Sequence, residues 1–358
     1  MLRFHWRLVQ RGETQAMTRS LQDGRLDTAL PDLDAQVEFC RRAQCSGIDS
    51  VLLDINFGTP DPMVLATALA ANTRTIKFIV AVRSGLISPT LLVQQVNTFS
   101  SLHGDRISLN VVAGNSPTEQ RRYGDFLDHD ARYERTREFL DVCRRFWACS
   151  EVAFEGRYFC IQGGRLNTPF VSTKRDHPET LVAGGSEAAL AIAIQHGDCW
   201  MRLADAPPVI AQSIAPALQS GREVGLRLSI VTEQTRSQAL DAAHALVEQA
   251  VSQKNDAVTE RRFVSGSDSN SIASVYRAAE NEWLSDCLWT GAVRSHGAPA
   301  IALVGSHDEV ASALLEYARL GVTQFILSGW PKLDTMLRFG EEILPRVRAS
   351  ESRGGLRA

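Results

Sequence analysis

The sequence has 358 residues, which at about 150 residues per domain allows two domains or one large α/β barrel. Apolar residues make up 44% and charged residues 22%, and 38 Lys+Arg stand against 41 Asp+Glu, so the composition excludes a disordered chain and indicates no nucleic-acid or membrane partner. The longest apolar runs, such as Ala188–Ile194, are far shorter than the roughly 20 residues of a membrane-spanning helix. Arg3, His5, Arg7 and Arg11 interrupt any signal-peptide core, so we expect a cytoplasmic protein.

Short β-branched runs alternate with amphipathic segments along the whole chain, which is typical of parallel strands joined by helices. The eight predicted strands are Arg3–Val9, Ser50–Asp54, Ile76–Val82, Ile107–Val112, Thr180–Ala183, Cys199–Leu203, Arg227–Val231 and Gln324–Leu327. The predicted helices lie near Leu33–Gln44, Pro62–Ala71, Pro89–Ser101, Ala131–Trp147, Glu187–Gln195, Pro207–Gly221, Ser237–Val251 and Asp308–Leu320, with a last helix from Leu333. Eight alternations favour a single TIM (β/α)8 barrel over residues 1–358. A doubly wound open sheet uses the same alternation, but with fewer repeats and a glycine-rich first turn.

Three connections are too long for ordinary loops of a compact fold, namely Arg11–Leu30, Asn115–His177 and Ser252–Pro299. The third includes Val264–Ile272, whose Ser, Gly, Asp and Asn residues favour coil. We therefore predict a mobile lid over residues 252–299 at the carboxyl-terminal face of the barrel. The tail Glu351–Ala358 is predicted to be disordered.

The common catalytic signatures are missing from the sequence. There is no H-E-x-x-H helix, no G-x-x-x-x-G-K-[ST] phosphate loop, no G-x-S-x-G elbow and no G-x-G-x-x-G turn after a strand. The seven cysteines are scattered singly, which argues against a disulfide framework and against a zinc ribbon. We predict no metal site.

The active site of a TIM barrel lies at the carboxyl ends of its strands. Ala183–Ser186 ends a predicted strand and opens a helix, so its backbone N–H groups and the helix dipole are suited to a phosphate; it also fits a tight turn with Ser186 as the helix N-cap. Leu127–Tyr133 gathers Asp, His, Arg and Tyr at a helix start. That cluster suits either a second contact with a phosphate or a plain cap at Asp130.

Two arginines lie near the predicted mouth of the barrel, Arg227 on the seventh strand and Arg294 near the end of the lid segment. A guanidinium at a barrel mouth can hold an oxyanion through two hydrogen bonds, or it can pair with a carboxylate of the protein. The sequence leaves both interpretations open.

Five segments carry recognisable motifs. They read IKFIVAVRSGLISPT (Ile76–Thr90), ISLNVVAGNSPTEQ (Ile107–Gln120), GDFLDHDARYERTREF (Gly124–Phe139), VAGGSEAA (Val182–Ala189) and ALVGSHDEVASALLEYARLGVTQFILSGWP (Ala302–Pro331). Together they resemble the bacterial luciferase-like flavin monooxygenases, and most closely the alkanesulfonate monooxygenase branch, over nearly the full length.

The resemblance implies a TIM barrel that binds reduced FMN (FMNH2), which a separate NAD(P)H-dependent flavin reductase supplies, and that transfers oxygen from O2 to an organic substrate. Seven positions would contact the cofactor: Asn110 the ring or ribityl chain, Ala81 and Arg83 the isoalloxazine, His129 and Tyr133 the ribityl-phosphate end, and Gly185 and Ser186 the phosphate.

The resemblance also implies catalytic positions, with two departures from the family. Arg227 matches an arginine of the sulfonate pocket, and Arg294 matches the lid arginine beside a short insertion at Ser295–Pro299. Ser229 stands where the sulfonate enzymes have histidine, and Trp330 stands where they have tyrosine. Serine is no base near neutral pH, and tryptophan offers an N–H donor but no phenolic proton. Flavin binding is therefore implied more firmly than sulfonate chemistry.

These observations predict an FMNH2-dependent two-component monooxygenase. Its substrate would be small or medium-sized, free or carrier-bound, and a biosynthetic intermediate rather than a simple alkanesulfonate. Two alternatives stay open, a deazaflavin-dependent oxidoreductase and a non-catalytic flavin-binding paralogue. We expect a homodimer or homotetramer that contacts its reductase and has no nucleic-acid or membrane partner.

Overall fold

The computed structural model describes residues 1–10, 32–252 and 266–354. The strands are β1 (Arg3–Arg7), β2 (Ser50–Leu53), β3 (Lys77–Arg83), β4 (Ile107–Val112), β5 (Val152–Glu155), β6 (Cys160–Gly164), β7 (Glu179–Ala183), β8 (Cys199–Leu203), β9 (Glu223–Glu233), β10 (Leu288–Trp289), β11 (Ala302–Ser306) and β12 (Val322–Gly329).

The helices surround the strands. They are α1 (Leu33–Cys45), α2 (Pro62–Ala71), α3 (Pro89–His103), α4 (Pro117–Arg122), α5 (His129–Ala148), α6 (Glu187–His196), α7 (Pro207–Gln219), α8 (Arg236–Ser252), α9 (Asn270–Ala278), α10 (Val293–His296), α11 (His307–Arg319), α12 (Lys332–Arg338) and α13 (Leu344–Ser352).

Eight parallel strands close into a barrel in the order β12–β1–β2–β3–β4–β7–β8–β9, and β9 returns to pair with β12. This closure excludes the open doubly wound sheet and confirms the TIM barrel. All eight predicted strands are present, with ends that differ by a few residues; β9 is the most extended, because its carboxyl half also pairs with β11.

Helix starts follow capping residues in the sequence. Asp61 accepts a hydrogen bond from the Val64 N–H ahead of Pro62, and Ser306 forms a reciprocal capping box with Glu309. These local signals explain why the predicted helix bounds agree closely with the observed ones.

The barrel encloses its own apolar layer, separate from the larger core between strands and helices. Its buried members are Leu52, Ile79, Leu181, Cys199, Met201 and Ile326. Because alternate strand residues point to opposite sides of the sheet, the inward-facing residues next along β2, β3 and β4 lie at the carboxyl-terminal mouth. Asp54, Ala81 and Asn110 are among them.

The long connections contain structure that the sequence did not predict. Strands β5 and β6 form a hairpin inside Asn115–His177, and β10 pairs antiparallel with β11. The prediction of coil over Val264–Ile272 is wrong from Asn270 onward, because Ser269 caps α9 and the helix buries Ile272. The mobility of the 252–299 lid stays a prediction, and residues 253–265 lie outside the described residues.

Both chain ends pack together, so the chain stays ordered further than we expected. Helix α13 runs to Ser352, and the Glu351 carboxylate accepts a hydrogen bond from the Leu2 backbone N–H. The prediction of disorder is therefore wrong for Glu351 and Ser352, which belong to α13, and residues 355–358 lie outside the described residues. Within the described ranges, none of the helices combines the length and apolar character that crossing a bilayer requires.

Candidate active site

Ala81 and Asn110 face each other on neighbouring strands at the mouth of the barrel. They are paired in register between β3 and β4, and both are buried. The Asn110 side chain is 6% exposed, and its Oδ1 has no hydrogen-bond partner among the described residues. A buried amide oxygen without a donor is costly, so this position is suited to a ligand that brings an N–H or O–H group.

The turn after β7 forms a cradle at the start of α6. Ser186 caps this helix by accepting from the Ala189 N–H at 3.2 Å, and Gly184 adopts a φ of 142°, which favours glycine. A Cβ on Gly184 would lie 3.0 Å from the Tyr133 hydroxyl, so Tyr133 closes over the turn. Burial raises the pKa of Tyr133, and a hydrogen bond with Ser186 partly offsets that rise. The predicted phosphate contacts Tyr133, Gly185 and Ser186 therefore lie together.

Ser271 is a neighbour of this cradle that sequence reasoning missed. Its Oγ accepts a hydrogen bond from the Gly185 backbone N–H at 2.6 Å, and a Cβ on Gly185 would lie 2.7 Å from that Oγ. Helix α9 thus covers the amide that the resemblance assigns to the phosphate. The only sequence signal was the run of serines at its start.

His129 begins α5 beside Tyr133, as predicted from the helix-start motif. The two rings lie 4.8 Å apart, and the His129 Nδ1 lies 2.8 Å from the Asp130 carboxylate. The helix cap is Asp128 rather than Asp130, because Asp128 accepts from the Ala131 N–H at 2.9 Å. Arg132 is buried rather than solvated.

Arg83 ends β3 and is buried at the mouth, next to α4. Its guanidinium donates to Gln120 Oε1, to Glu119 Oε2 and to the Ile55 carbonyl, at 3.0–3.1 Å. These contacts fix the side chain in place, while its Nε has no partner among the described residues. Its contact with an isoalloxazine stays a prediction.

Arg227 lies inside the barrel and faces a carboxylate of the protein. Its Nη1 is 3.5 Å from Asp54 Oδ1, and Arg7 Nε donates to Asp54 Oδ2. Burial alone would raise the pKa of Asp54, but the charges of Arg7 and Arg227 outweigh it and hold that pKa well below its usual range. Arg227 thus pairs with a carboxylate of the protein, which is one of the two interpretations that the sequence left open. A guanidinium has five N–H donors, so Arg227 keeps others for a ligand.

Ser229 and Trp330 lie beside the end of the lid segment. The Ser229 hydroxyl donates to the Pro299 carbonyl at 2.9 Å. Trp330 contacts the His296 ring at 5.3 Å, and burial lowers the pKa of His296 to about 4, so this imidazole is neutral at pH 7. His296 was not singled out from the sequence. Arg294 lies on α10 with an exposed side chain, unlike the mostly buried Arg227.

Strand order separates the predicted residues into two halves of the mouth. The cofactor positions belong to β3, β4 and the turn after β7, whereas Arg227, Ser229 and Trp330 belong to β9 and the end of β12. A ligand anchored at Gly185 and Asn110 would therefore extend toward the half that carries the charged side chains.

A cavity of about 590 Å³ lies at the opposite, amino-terminal end of the barrel, between Arg3, Ser108 and Glu179. Residues at that end of a TIM barrel usually serve stability, so we do not place the chemistry there. Among the described residues, no group of three His, Cys, Asp or Glu side chains is arranged to hold a metal ion.

The sequence profile described as luciferase-like monooxygenase matches residues 6–324. The chain belongs to the luciferase-like monooxygenase family. Its enzyme class is therefore that of a monooxygenase, in agreement with the resemblance of its motifs. Placement in the alkanesulfonate branch stays a prediction.

Several solved luciferase-like and related structures have the same fold. EDTA monooxygenase from Chelativorans sp. BNC1 is 20% identical, with a TM-score of 0.76 over 99% of this chain and 95% of that one. A riboflavin lyase solved with modified FMN and riboflavin is 20% identical, with a TM-score of 0.74 over 100% and 93%. An F420-dependent secondary alcohol dehydrogenase is 17% identical, with a TM-score of 0.68 over 97% and 99%. At such identities the likeness establishes the fold alone.

Proposed function

We propose that the protein is an FMNH2-dependent two-component monooxygenase. The observation that carries the proposal is the buried, unpartnered Asn110 Oδ1 at the mouth of the barrel, on the same half as the helix N-terminus at Gly185 and Ser186. One polar acceptor for the ring or ribityl chain and one anion-binding helix terminus are what a flavin mononucleotide requires.

The residues present fit the cofactor. Ser186 and Tyr133 would hold the phosphate, and the Gly185 N–H would join them when the phosphate replaces the Ser271 Oγ as its acceptor. Asn110 would accept a hydrogen bond from the flavin or its ribityl chain. Reduced FMN, when bound, would supply the electrons that activate O2. Ala81, paired in register with Asn110, has only a methyl side chain and would leave room for the ring beside the amide.

On the other half of the mouth, Arg227 would orient a polar or anionic part of the substrate. The Ser229 hydroxyl donates its one hydrogen to the Pro299 carbonyl, and serine is no base near neutral pH, so Ser229 is a poor candidate for moving a proton. The neutral His296 imidazole, whose Nε2 has no partner in the described part of the chain, is a better candidate for moving a proton. Trp330 packs against that ring and would limit the access of water.

Several parts of the proposal rest on the resemblance and the similar structures. A separate NAD(P)H-dependent flavin reductase would supply FMNH2, and the oligomer would be a homodimer or homotetramer. Two proteins of this fold act on EDTA and on riboflavin, which are both polar molecules with several functional groups. For this chain we propose a small or medium organic substrate other than a simple alkanesulfonate, because Ser229 replaces the histidine of that branch.

Anaerobic titration of the protein with FMNH2 tests the proposal, with reduced F420 titrated in parallel. Ser186→Ala combined with Tyr133→Phe should weaken FMNH2 binding more than tenfold, because both changes remove groups at the phosphate cradle. The matched control is Ser172→Ala, which changes a serine at the amino-terminal cavity of the barrel and should leave the affinity unchanged.

Unchanged affinity in the cradle variant would remove this assignment. Binding of F420 in place of FMNH2 would favour the deazaflavin alternative, since one F420-dependent dehydrogenase shares the fold. Tight FMNH2 binding without oxygen consumption over a broad substrate panel would indicate the non-catalytic paralogue.

A further inference from the structure

Lys332 is a buried lysine at the mouth of the barrel that the proposed mechanism leaves without a role. It is the first residue of α12, directly after β12 and Trp330-Pro331. The residue is 3% exposed, and its Nζ has no hydrogen-bond partner among the described residues. A buried amine without a hydrogen-bond partner is costly, so this position is suited to a ligand that brings an anionic acceptor.

The charged groups that act on Lys332 among the described residues are Arg7 on β1, Asp54 after β2 and Arg227 on β9. Asp54 is already engaged, since its two carboxylate oxygens face Arg7 and Arg227. Its backbone is also fixed, because its N–H and carbonyl both bond to the Gln10 side chain, at 2.7 and 2.9 Å. Asp54 therefore pairs with both Arg7 and Arg227, and among the described residues it forms no ion pair with Lys332.

Burial first, and then the charges of Arg7 and Arg227, lower the pKa of Lys332 well below its usual value, and Asp54 offsets this only in part. Two guanidinium groups against one carboxylate already leave one positive charge in the cluster. A protonated lysine adds a second. If a monoanion and a proton enter together, the net charge of the cluster is the same before and after binding.

We propose that Lys332, together with Arg227, binds an oxyanion carried by the substrate, and that the amine takes up a proton as the anion binds. The anion would then lie on the β9–β12–β1–β2 side, across the mouth from the cofactor cradle. Its identification as part of the substrate rests on the proposed function, whereas the anion site itself does not. The shared chemistry is that of a carboxylate or a sulfonate, and the test has an arm for each.

Calorimetric titration with propionate and with ethanesulfonate tests the inference without turnover. Titrations at pH 8 in Tris and in triethanolamine, at equal ionic strength, give the number of protons exchanged, because the two buffers differ in ionisation enthalpy. An ordinary lysine, with a pKa of 10.5, is already protonated at pH 8. Net proton uptake on binding therefore identifies the perturbed amine. The titrations are repeated with FMN bound. The FMN phosphate then occupies the cradle, so the added anion cannot bind there.

We expect proton uptake by the native protein, and at least tenfold weaker binding in Lys332→Met. Lys332→Arg, which keeps a permanent charge, should bind with little proton uptake. Lys77→Met is the matched control at the amino-terminal cavity and should behave as the native protein does. Whichever anion binds more tightly, propionate or ethanesulfonate, identifies the substrate group as a carboxylate or a sulfonate.

Native affinity in Lys332→Met, or binding without proton uptake in the native protein, would overturn the inference. Loss of binding in Lys77→Met would show that the anion binds in the amino-terminal cavity, and this result would also overturn the inference. The melting temperature of Lys332→Met should be at least that of the native protein, because methionine removes a buried amine without a partner; this separates lost binding from lost folding. Failure of FMNH2 to bind in the anaerobic titration would contradict the proposed function and leave the anion result standing.

Discussion

Two buried asparagines differ in how their amides are satisfied. Asn97, 2% exposed, donates to the Thr168 carbonyl at 2.6 Å and accepts from Trp147 Nε1 at 2.9 Å. Asn110 is buried to a similar degree, yet its Oδ1 has no partner in the described ranges. The first arrangement supports the fold, whereas the second keeps an acceptor available for a ligand at the expense of stability.

Asn110→Leu should therefore weaken FMNH2 binding about tenfold or more, which is about 1.4 kcal/mol. Its melting temperature should be unchanged or higher, because the substitution removes a buried acceptor without a donor. Asn97→Leu is the control and should lower stability by about 1–3 kcal/mol with unchanged affinity. Fluorescence titration and thermal unfolding measure the two effects. Equal loss of stability in both variants would contradict the role of Asn110.

Arg227 both pairs with Asp54 and, in our proposal, binds the substrate. Arg227→Ala should weaken propionate binding at least tenfold with a small change in melting temperature, because Arg7 still neutralises Asp54. Arg227→Lys keeps the charge but loses the planar pair of donors, so a large effect would indicate a bidentate contact. Lost stability with unchanged anion binding would show that Arg227 serves only Asp54.

At the scale of elements, helix α9 connects the lid segment to the cofactor half of the mouth. The Arg132 side chain on α5 is 1% exposed, and its Nη2 donates to Asp268 Oδ2 at 2.6 Å. Asp268 lies just before α9, whose Ser271 contacts the Gly185 N–H. The Arg132–Asp268 ion pair therefore holds the start of α9 in the position where Ser271 covers the Gly185 amide.

Asp268→Asn should loosen α9, because it removes the carboxylate that pairs with the buried Arg132 guanidinium, at a cost of about 3 kcal/mol. Hydrogen exchange of the α9 amides should become faster than in the native protein. The control is Asp130→Asn on α5, where the Asp130 side chain is 92% exposed and its pairing with His129 carries little energy. Equal exchange in both variants would show that the ion pair does not hold the helix.

The sequence predicted the elements that carry strong local signals. The bounds predicted for α2 agree with the observed Pro62–Ala71, because a cap and a proline fix its start. The hairpin of β5 and β6 was missed, since half or more of its side chains are exposed and no apolar alternation marks it. Helix α9 was missed because its serine-rich start is also typical of coil, and its burial against the barrel is a tertiary effect.

At the scale of the whole molecule, buried histidines set the response to acid. Burial lowers the pKa of His196 and of His296 to about 4 each, and it also lowers the pKa of His5. In the unfolded chain these groups take up protons near pH 6.5, which the folded protein does not. The unfolded state therefore binds more protons, and the stability falls as the pH drops from about 6.5 toward 4.

Urea unfolding at pH 7 and at pH 5 measures this dependence. Each neutral histidine should account for up to about 2 kcal/mol of lost stability over that interval. His196→Gln should remove its share of the dependence. Paired carboxylates such as Glu179, whose pKa is lowered, lose their effect only below their ordinary value of 4.5, so they do not obscure the result. An identical pH dependence in the variant would contradict the assignment.

The sequence by itself favoured the closed barrel over an open sheet, because it has eight local alternations of strand and helix and no glycine-rich first turn. The resemblance of its motifs also implied that Gly185, Ser186 and Tyr133 share one site, and these residues do lie together. Only the tertiary structure decided which distant groups meet. Closure of the barrel brings Arg227 to Asp54 and leaves Lys332 unpaired, because charge pairing depends on distances between strands that local periodicity does not encode.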